Sequence, residues 1–285
     1  MNEKQANALR KRVILMSDIH YCKDGWYGVT QQIKRERLCA DLEKEYAKDP
    51  YDALLLLGDY SLDHWKHGGF YLTQGICETK AFVDQCLSRL APDGVDLFMM
   101  PGNHEQYGEE AWEKMTGFKR SGHLICGPVL FILLDNYGAD LDPTENFDGT
   151  YTGADVARIR ELMALYPDKK VILCAHWFSM ERESEEFFRL VREEERILCL
   201  FCGHNHASRI VATGEEEGDK PLIFTGNYSY AGDKNVVRCL SGYRELLITE
   251  TGISTKYIVP PHDYQIEKVK FSNEYAEQDE IEILF

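Results

Sequence analysis

Six short apolar runs in this chain each end in polar residues of one chemical kind. Val13 to Met16 leads into Asp18 and His20. Leu54 to Leu57 leads into Gly58 and Asp59. Leu97 to Met100 leads into Gly102, Asn103, His104 and Glu105. Val171 to Cys174 leads into His176. Ile197 to Phe201 leads into Gly203, His204, Asn205 and His206. Val129 to Leu134 leads into Asp135 and Asn136. Runs of four to six apolar residues with no polar alternation suit strands buried on both faces. In an open α/β sheet the crevice lies at the carboxyl ends of the strands. Residues far apart in the chain are therefore expected to converge on one place.

Helical patterns alternate with these runs. Thr30 to Ala47, Thr79 to Leu90, Thr152 to Tyr166 and Ser184 to Glu195 carry apolar residues at helical spacing, and Thr152 with Asp155 has capping-box spacing. Strand–helix–strand repetition predicts an α/β fold with largely parallel pairing. After about residue 208 the rhythm changes to short β-like runs punctuated by Gly214, Gly226, Gly242 and Gly252. These read as an antiparallel meander completing a second sheet. No repeat or linker divides the chain, so residues 1–271 are expected to form a single domain. Residues 272–285 hold five acidic residues and no basic ones. They are either a loose acidic tail or, through Ile281, Ile283 and Phe285, an edge strand.

The balance of charge narrows the partners. The formal net charge is −16, which disfavours the counterion-release binding of non-specific nucleic-acid proteins. No apolar stretch approaches the ~20 residues that span a bilayer, so no membrane span is expected. Met1 to Arg12 lacks an apolar core of the kind a secretory signal needs. Nine cysteines without paired C-x-x-C motifs read as reduced core residues of a cytoplasmic protein. Cys199 and Cys202 are expected on opposite faces of one strand.

Two aspartates, one amide and four histidines meeting at one crevice can hold two metal ions. Carboxylate, imidazole and amide donors suit Mn, Fe, Zn, Co or Ni, and no thiolate demands a softer metal. An aspartate can bridge two ions about 3.5–4 Å apart, the spacing of two-metal hydrolytic sites. Such a pair yields a hydroxide nucleophile near neutral pH and offsets charge on phosphoryl oxygens. Aromatic residues follow the polar strand ends, among them Trp26, Trp65 and Trp177. With Asn136 they are the expected substrate-binding residues, walls of a pocket that stacks a base, an aryl group or a sugar.

Asp18-x-His20, Gly58-Asp59, Gly102-Asn103-His104-Glu105, His176 and Gly203-His204-x-His206, in that order, resemble the calcineurin-like metallophosphoesterase superfamily. The resemblance covers roughly residues 13–206. It implies two packed mixed β-sheets flanked by helices, a four-layer α/β/β/α sandwich with a dimetal site. It implies that Asp18, His20, Asp59 and His206 bind one metal, that Asp59 bridges, and that Asn103, His176 and His204 complete the second. It makes His104 the general acid. That imidazole needs an orienting acceptor, for which Asp63 is the candidate.

The segment after Asp59 departs from the serine/threonine phosphatase pattern Gly-Asp-x-x-Asp-Arg-Gly. Its second aspartate, Asp63, stands one residue late, and no Arg-Gly follows. Glu105 is expected either to support His104 or to cap the next helix. The expected activity is hydrolysis of a small phosphate ester, preferably a phosphodiester or nucleotide. The alternatives are a phosphomonoesterase, less readily a protein phosphatase, and a non-enzymatic scaffold on the same fold.

Overall fold

The structure, a computed structural model, describes residues 9–21, 31–67, 70–71, 77–138, 149–214, 219–228, 242–260 and 280–285. Within them lie strands β1 (Lys11–Met16), β2 (Ala53–Leu57), β3 (Lys66–His67), β4 (Phe70–Tyr71), β5 (Asp96–Met100), β6 (Gly122–Cys126) and β7 (Val129–Leu134). They continue with β8 (Lys170–Ala175), β9 (Ile197–Cys202), β10 (Ser208–Ala212), β11 (Pro221–Thr225), β12 (Tyr243–Ile248), β13 (Gly252–Ile258) and β14 (Ile281–Leu284). The helices are α1 (Gln31–Lys48), α2 (Glu78–Leu90), α3 (Glu109–Thr116), α4 (Val156–Leu165) and α5 (Glu185–Glu193).

Two six-stranded sheets form the centre. One has the order β14-β13-β12-β1-β2-β5 and the other β10-β11-β9-β8-β7-β6. Strands β1, β2 and β5 are parallel, as are β7, β8, β9 and β11. Antiparallel strands complete both sheets. Each apolar run has two buried faces. In β1, Val13 and Leu15 face the core between the sheets, while Ile14 and Met16 face the cluster that includes Leu38, Cys39 and Leu42 of α1 and Phe82, Cys86 and Leu90 of α2. In β8, Ile172 and Cys174 face inward, while Val171, Leu173 and Ala175 pack against α4 and α5. Each such Leu, Ile or Val contributes roughly 1.5–3 kcal/mol by leaving water. The layers are α/β/β/α, as the family resemblance implies.

Local signals set the helix starts. Asp155 caps α4 by accepting the N–H of Arg158, and Ser184 caps α5 by accepting that of Phe187. The predicted Thr152 start is corrected: its hydroxyl donates to the Asn136 carbonyl, and the helix begins four residues later. Helix α3 carries the buried Trp112; the sequence suggests a helix after Glu105 without fixing its bounds.

The predicted late meander is corrected too. Strands β10 and β11 join the second sheet through β9, whereas β12 and β13 join the first through β1. Periodicity shows that a segment is a strand, but its partner depends on which edge the chain reaches. Residues 281–284 form the edge strand rather than a loose end, with Ile281, Ile283 and Phe285 packed on the inter-sheet core. Cys199 and Cys202 fall on opposite faces, as expected. The seven cysteines among the described residues are free. No helix there is long and apolar enough to cross a membrane.

Candidate metal centre

The carboxyl ends of β1, β2, β5, β8 and β9 bring the seven expected ligands together. Five of the six non-glycine residues with left-handed backbone among the described residues are Asp18, His20, Asp59, His204 and His206, with φ between 49° and 66°. That region costs a non-glycine residue of order 1 kcal/mol or more and persists where the surroundings impose it. Here the chain leaves each strand and turns its side chain back toward the crevice. Two glycines make room. A Cβ at Gly102 would stand 2.1 Å from Asp59 Oδ1, and one at Gly203 would stand 2.6 Å from Asp18 Oδ2.

Asp18 Oδ2 accepts the His204 N–H at 2.9 Å and the Ser17 hydroxyl. Asp18 Oδ1 lies 3.2 Å from His206 Nε2 and 3.8 Å from His20 Nε2. It is buried and makes no hydrogen bond among the described residues. Asp59 Oδ1 accepts the His104 N–H at 3.1 Å. Asp59 Oδ2 stands 3.2 Å from His176 Nε2, 3.5 Å from His104 Nε2 and 3.6 Å from His20 Nε2. Asn103 Oδ1 lies 2.8 Å from His176 Nε2 and 3.0 Å from His204 Nδ1.

Three groups of potential donors result: Asp18, His20 and His206; His20, Asp59 and His104; and Asp59, His176 and His204. Within each, the atoms lie within 4.8 Å of one another. An unpartnered carboxylate oxygen facing imidazole nitrogens is costly without a cation and well suited to one.

The electrostatics agree. Burial alone would raise both aspartates. The imidazoles of His206 and His20 beside Asp18, and of His104 and His176 beside Asp59, hold both below the usual carboxylate range. Burial pushes His104 down to about 3 and His204 to about 4, and lowers His20, so their lone pairs are available. His176 differs. Burial opposes its charge, but Asp59 and Asp18 hold it up to about 10. A metal bound by His176 would have to displace that proton.

Several residues that sequence reasoning placed elsewhere prove structural. Asp63 is the clearest correction. Its oxygens accept the N–H groups of Glu78 and Thr79, at the start of α2, and the Tyr107 hydroxyl. The carboxylate beside the His104 ring is that of Asp59. Glu105 neither caps α3, whose cap is Gly108, nor bonds to His104 in the role expected. Fully buried, it accepts the N–H groups of Asp59, Gly102 and Ser61 at 2.9, 2.9 and 3.0 Å. It fixes the backbone that presents Asp59. Asn136 lies behind the centre, where Nδ2 donates to the Trp177 carbonyl at 2.9 Å.

Trp65 sits edge-on to His104, with centroids 6.2 Å apart, and Trp177 stacks on His204 at 4.8 Å. Trp26 lies outside the described residues. Asn227, whose Nδ2 donates to the His206 carbonyl, and Tyr137, beside His176 and His204, were missed. Neither belongs to a ligand motif, although Tyr137 directly follows Asn136 just past β7.

The calcineurin-like phosphoesterase family profile matches residues 11–208. The chain belongs to that family. Among solved structures, a dimetal phosphatase from Danio rerio is similar at 12% identity and a TM-score of 0.64, over 87% of this chain and 95% of that one. A purple acid phosphatase from yellow lupin (Lupinus luteus) seeds is similar at 14% identity and 0.54, over 88% and 52%. GAP50, the anchor in the inner membrane complex of Plasmodium, is similar at 12% identity and 0.50, over 88% and 85%. These likenesses show the fold. A comparison with curated proteins gave no match. The family binds two metals, and the His/Asp clusters of this chain supply donors suited to them.

Proposed function

We propose that this chain hydrolyses small phosphate esters at a pair of metal ions, with phosphodiesters and nucleotide-type molecules preferred. The observation that carries the reading is the place of Asp59 Oδ2, within 3.2–3.6 Å of imidazole nitrogens from His176, His104 and His20. From there one carboxylate can serve two ions. Asp18, His20, Asp59 and His206 would hold the first, and Asp59, Asn103, His176 and His204 the second. Ions of the Mn, Fe, Zn, Co or Ni class supply, when bound, an acidified water as nucleophile and positive charge against the phosphoryl oxygens.

The chain's own part is positioning and proton transfer. His104 would protonate the leaving oxygen. Its resting imidazole is neutral, because burial holds it down to about 3. An anionic phosphate ester alongside would raise its proton affinity and so favour its taking up a proton from solvent before the leaving oxygen departs. Trp65, edge-on to His104, would wall the leaving-group side, where a base or aryl group can stack. The cysteines among the described residues, free and mostly buried, support a reducing compartment such as the cytoplasm.

The test is side-by-side turnover of aryl phosphate mono- and diesters with added Mn²⁺, on protein whose metal content is measured. Faster diester turnover is expected. Faster monoester turnover would move the substrate class to monoesters. Turnover of neither by protein holding two metals would refute the reading and favour a scaffold.

A further inference from the structure

The two histidines of the second half-site are held differently. His176 Nδ1 is fixed by the Leu57 carbonyl at 2.8 Å, which leaves Nε2 turned to Asn103 and Asp59. This is the usual arrangement for a metal-binding imidazole, whose other nitrogen donates to a fixed acceptor. His204 presents Nδ1 to Asn103 Oδ1. Among the described residues no hydrogen bond anchors its Nε2. Instead the Trp177 indole lies over the imidazole, with centroids 4.8 Å apart and 29° between the planes. His176 meets the same ring edge-on at 5.2 Å.

Trp177 is itself locked. Its carbonyl accepts from Asn136 Nδ2 at 2.9 Å, and the Tyr151 ring packs edge-on against its indole at 5.1 Å. The Tyr151 hydroxyl donates to Glu183 and accepts the Ser179 N–H at 3.0 Å. Glu183 also accepts the Ala154 N–H at 3.0 Å. Asn136, Tyr151, Ser179 and Glu183 are all buried. Several elements are therefore committed to keeping one indole in place.

We propose that Trp177 is a positioning residue for His204. Its flat face holds the imidazole against tilting and keeps Nδ1 turned toward the second metal, in place of the missing hydrogen bond. The inference rests on the dinuclear reading above. It differs from the role of substrate platform expected for Trp177, because one indole face lies on His204.

The test compares wild-type protein with Trp177→Leu, which keeps bulk without a flat face, and Trp177→Phe, which keeps a ring. Each is stripped with chelator, checked for its metal-free melting temperature, and titrated with Mn²⁺ by calorimetry. Wild type is expected to bind two ions. Trp177→Leu is expected to weaken one binding event by about tenfold, the low end for loss of an outer-shell support, and to leave the other nearly unchanged. Trp177→Phe should keep both close to wild type, and the melting temperatures should agree within a few degrees.

Unchanged binding of both ions by Trp177→Leu would overturn the proposal. A rise in KM alone would then restore the platform role. Equal weakening of both events with a fall in melting temperature would also overturn it, since that marks a merely structural residue. Wild-type protein that binds fewer than two ions would refute the dinuclear reading, and this inference with it. Unchanged binding in the variant refutes this inference alone.

Discussion

Replacing Glu105 tests whether Asp59, the proposed bridging ligand, is held from behind. Three buried N–H groups, from Asp59, Gly102 and Ser61, end on this one carboxylate. Glu105→Ala leaves all three without an acceptor. Each unsatisfied buried donor costs about 1–3 kcal/mol, so the loss is about 3–9 kcal/mol. A domain has only about 5–15 kcal/mol in total. Glu105→Gln keeps one oxygen, enough for Asp59 and Gly102, which share Oε2. Its amide then faces the Ser61 N–H, a loss of about 1–3 kcal/mol.

The low end of that range is expected for glutamine. Burial and the Asp59 charge push the Glu105 carboxyl up to about 8, against the N–H groups of Gly102 and Ser61. At neutral pH a carboxyl held there is largely neutral already, so a neutral amide is a close substitute. The assay is the urea midpoint of metal-free protein at neutral pH, with metal content measured in parallel. Alanine should cost several kcal/mol more than glutamine. An alanine variant within about 1 kcal/mol of wild type would show that the three N–H groups find water or other partners, and the strut argument would fail.

Three further outcomes follow from the same geometry. Asp59→Asn should reduce metal content and rate together, as seen by metal analysis beside kinetics; a variant with two metals and full rate would count against a bridging carboxylate. His104→Ala should keep its metals and slow esters with poor leaving groups most; equal losses for good and poor leaving groups would count against proton donation. Burial raises the Glu183 carboxyl, partly offset by the Tyr151 hydroxyl. The folded state then holds a proton that the unfolded chain has lost, so stability falls as pH rises from the ordinary carboxylate value of about 4.3 through the raised one. Glu183→Gln should flatten that decline in melting temperature, and an unchanged slope would rule Glu183 out as its source.

Short-range pattern in the chain was enough to mark the six apolar runs as strands, most of them buried on both faces, and to show which residues stand at their ends. Those features depend on neighbours a few positions apart, and the apolar runs carry them directly. The candidate donor set was legible because each member follows a strand, and strand ends in this kind of sheet share one rim. Contacts between distant segments were not legible. Strands β12 and β13 look like β10 and β11 in sequence, yet pairing with β1 places them in the other sheet. Asp63 and Glu105 are both acids near a motif. Only the approach of α2 and Tyr107 to one, and of three backbone N–H groups to the other, makes the first a helix cap and the second a strut. Trp177 likewise reads as a pocket wall until His204, almost thirty residues later in the chain, is laid against its face. A side chain's type travels with the sequence, but its partner is set by whichever distant segment packing brings within a few ångströms.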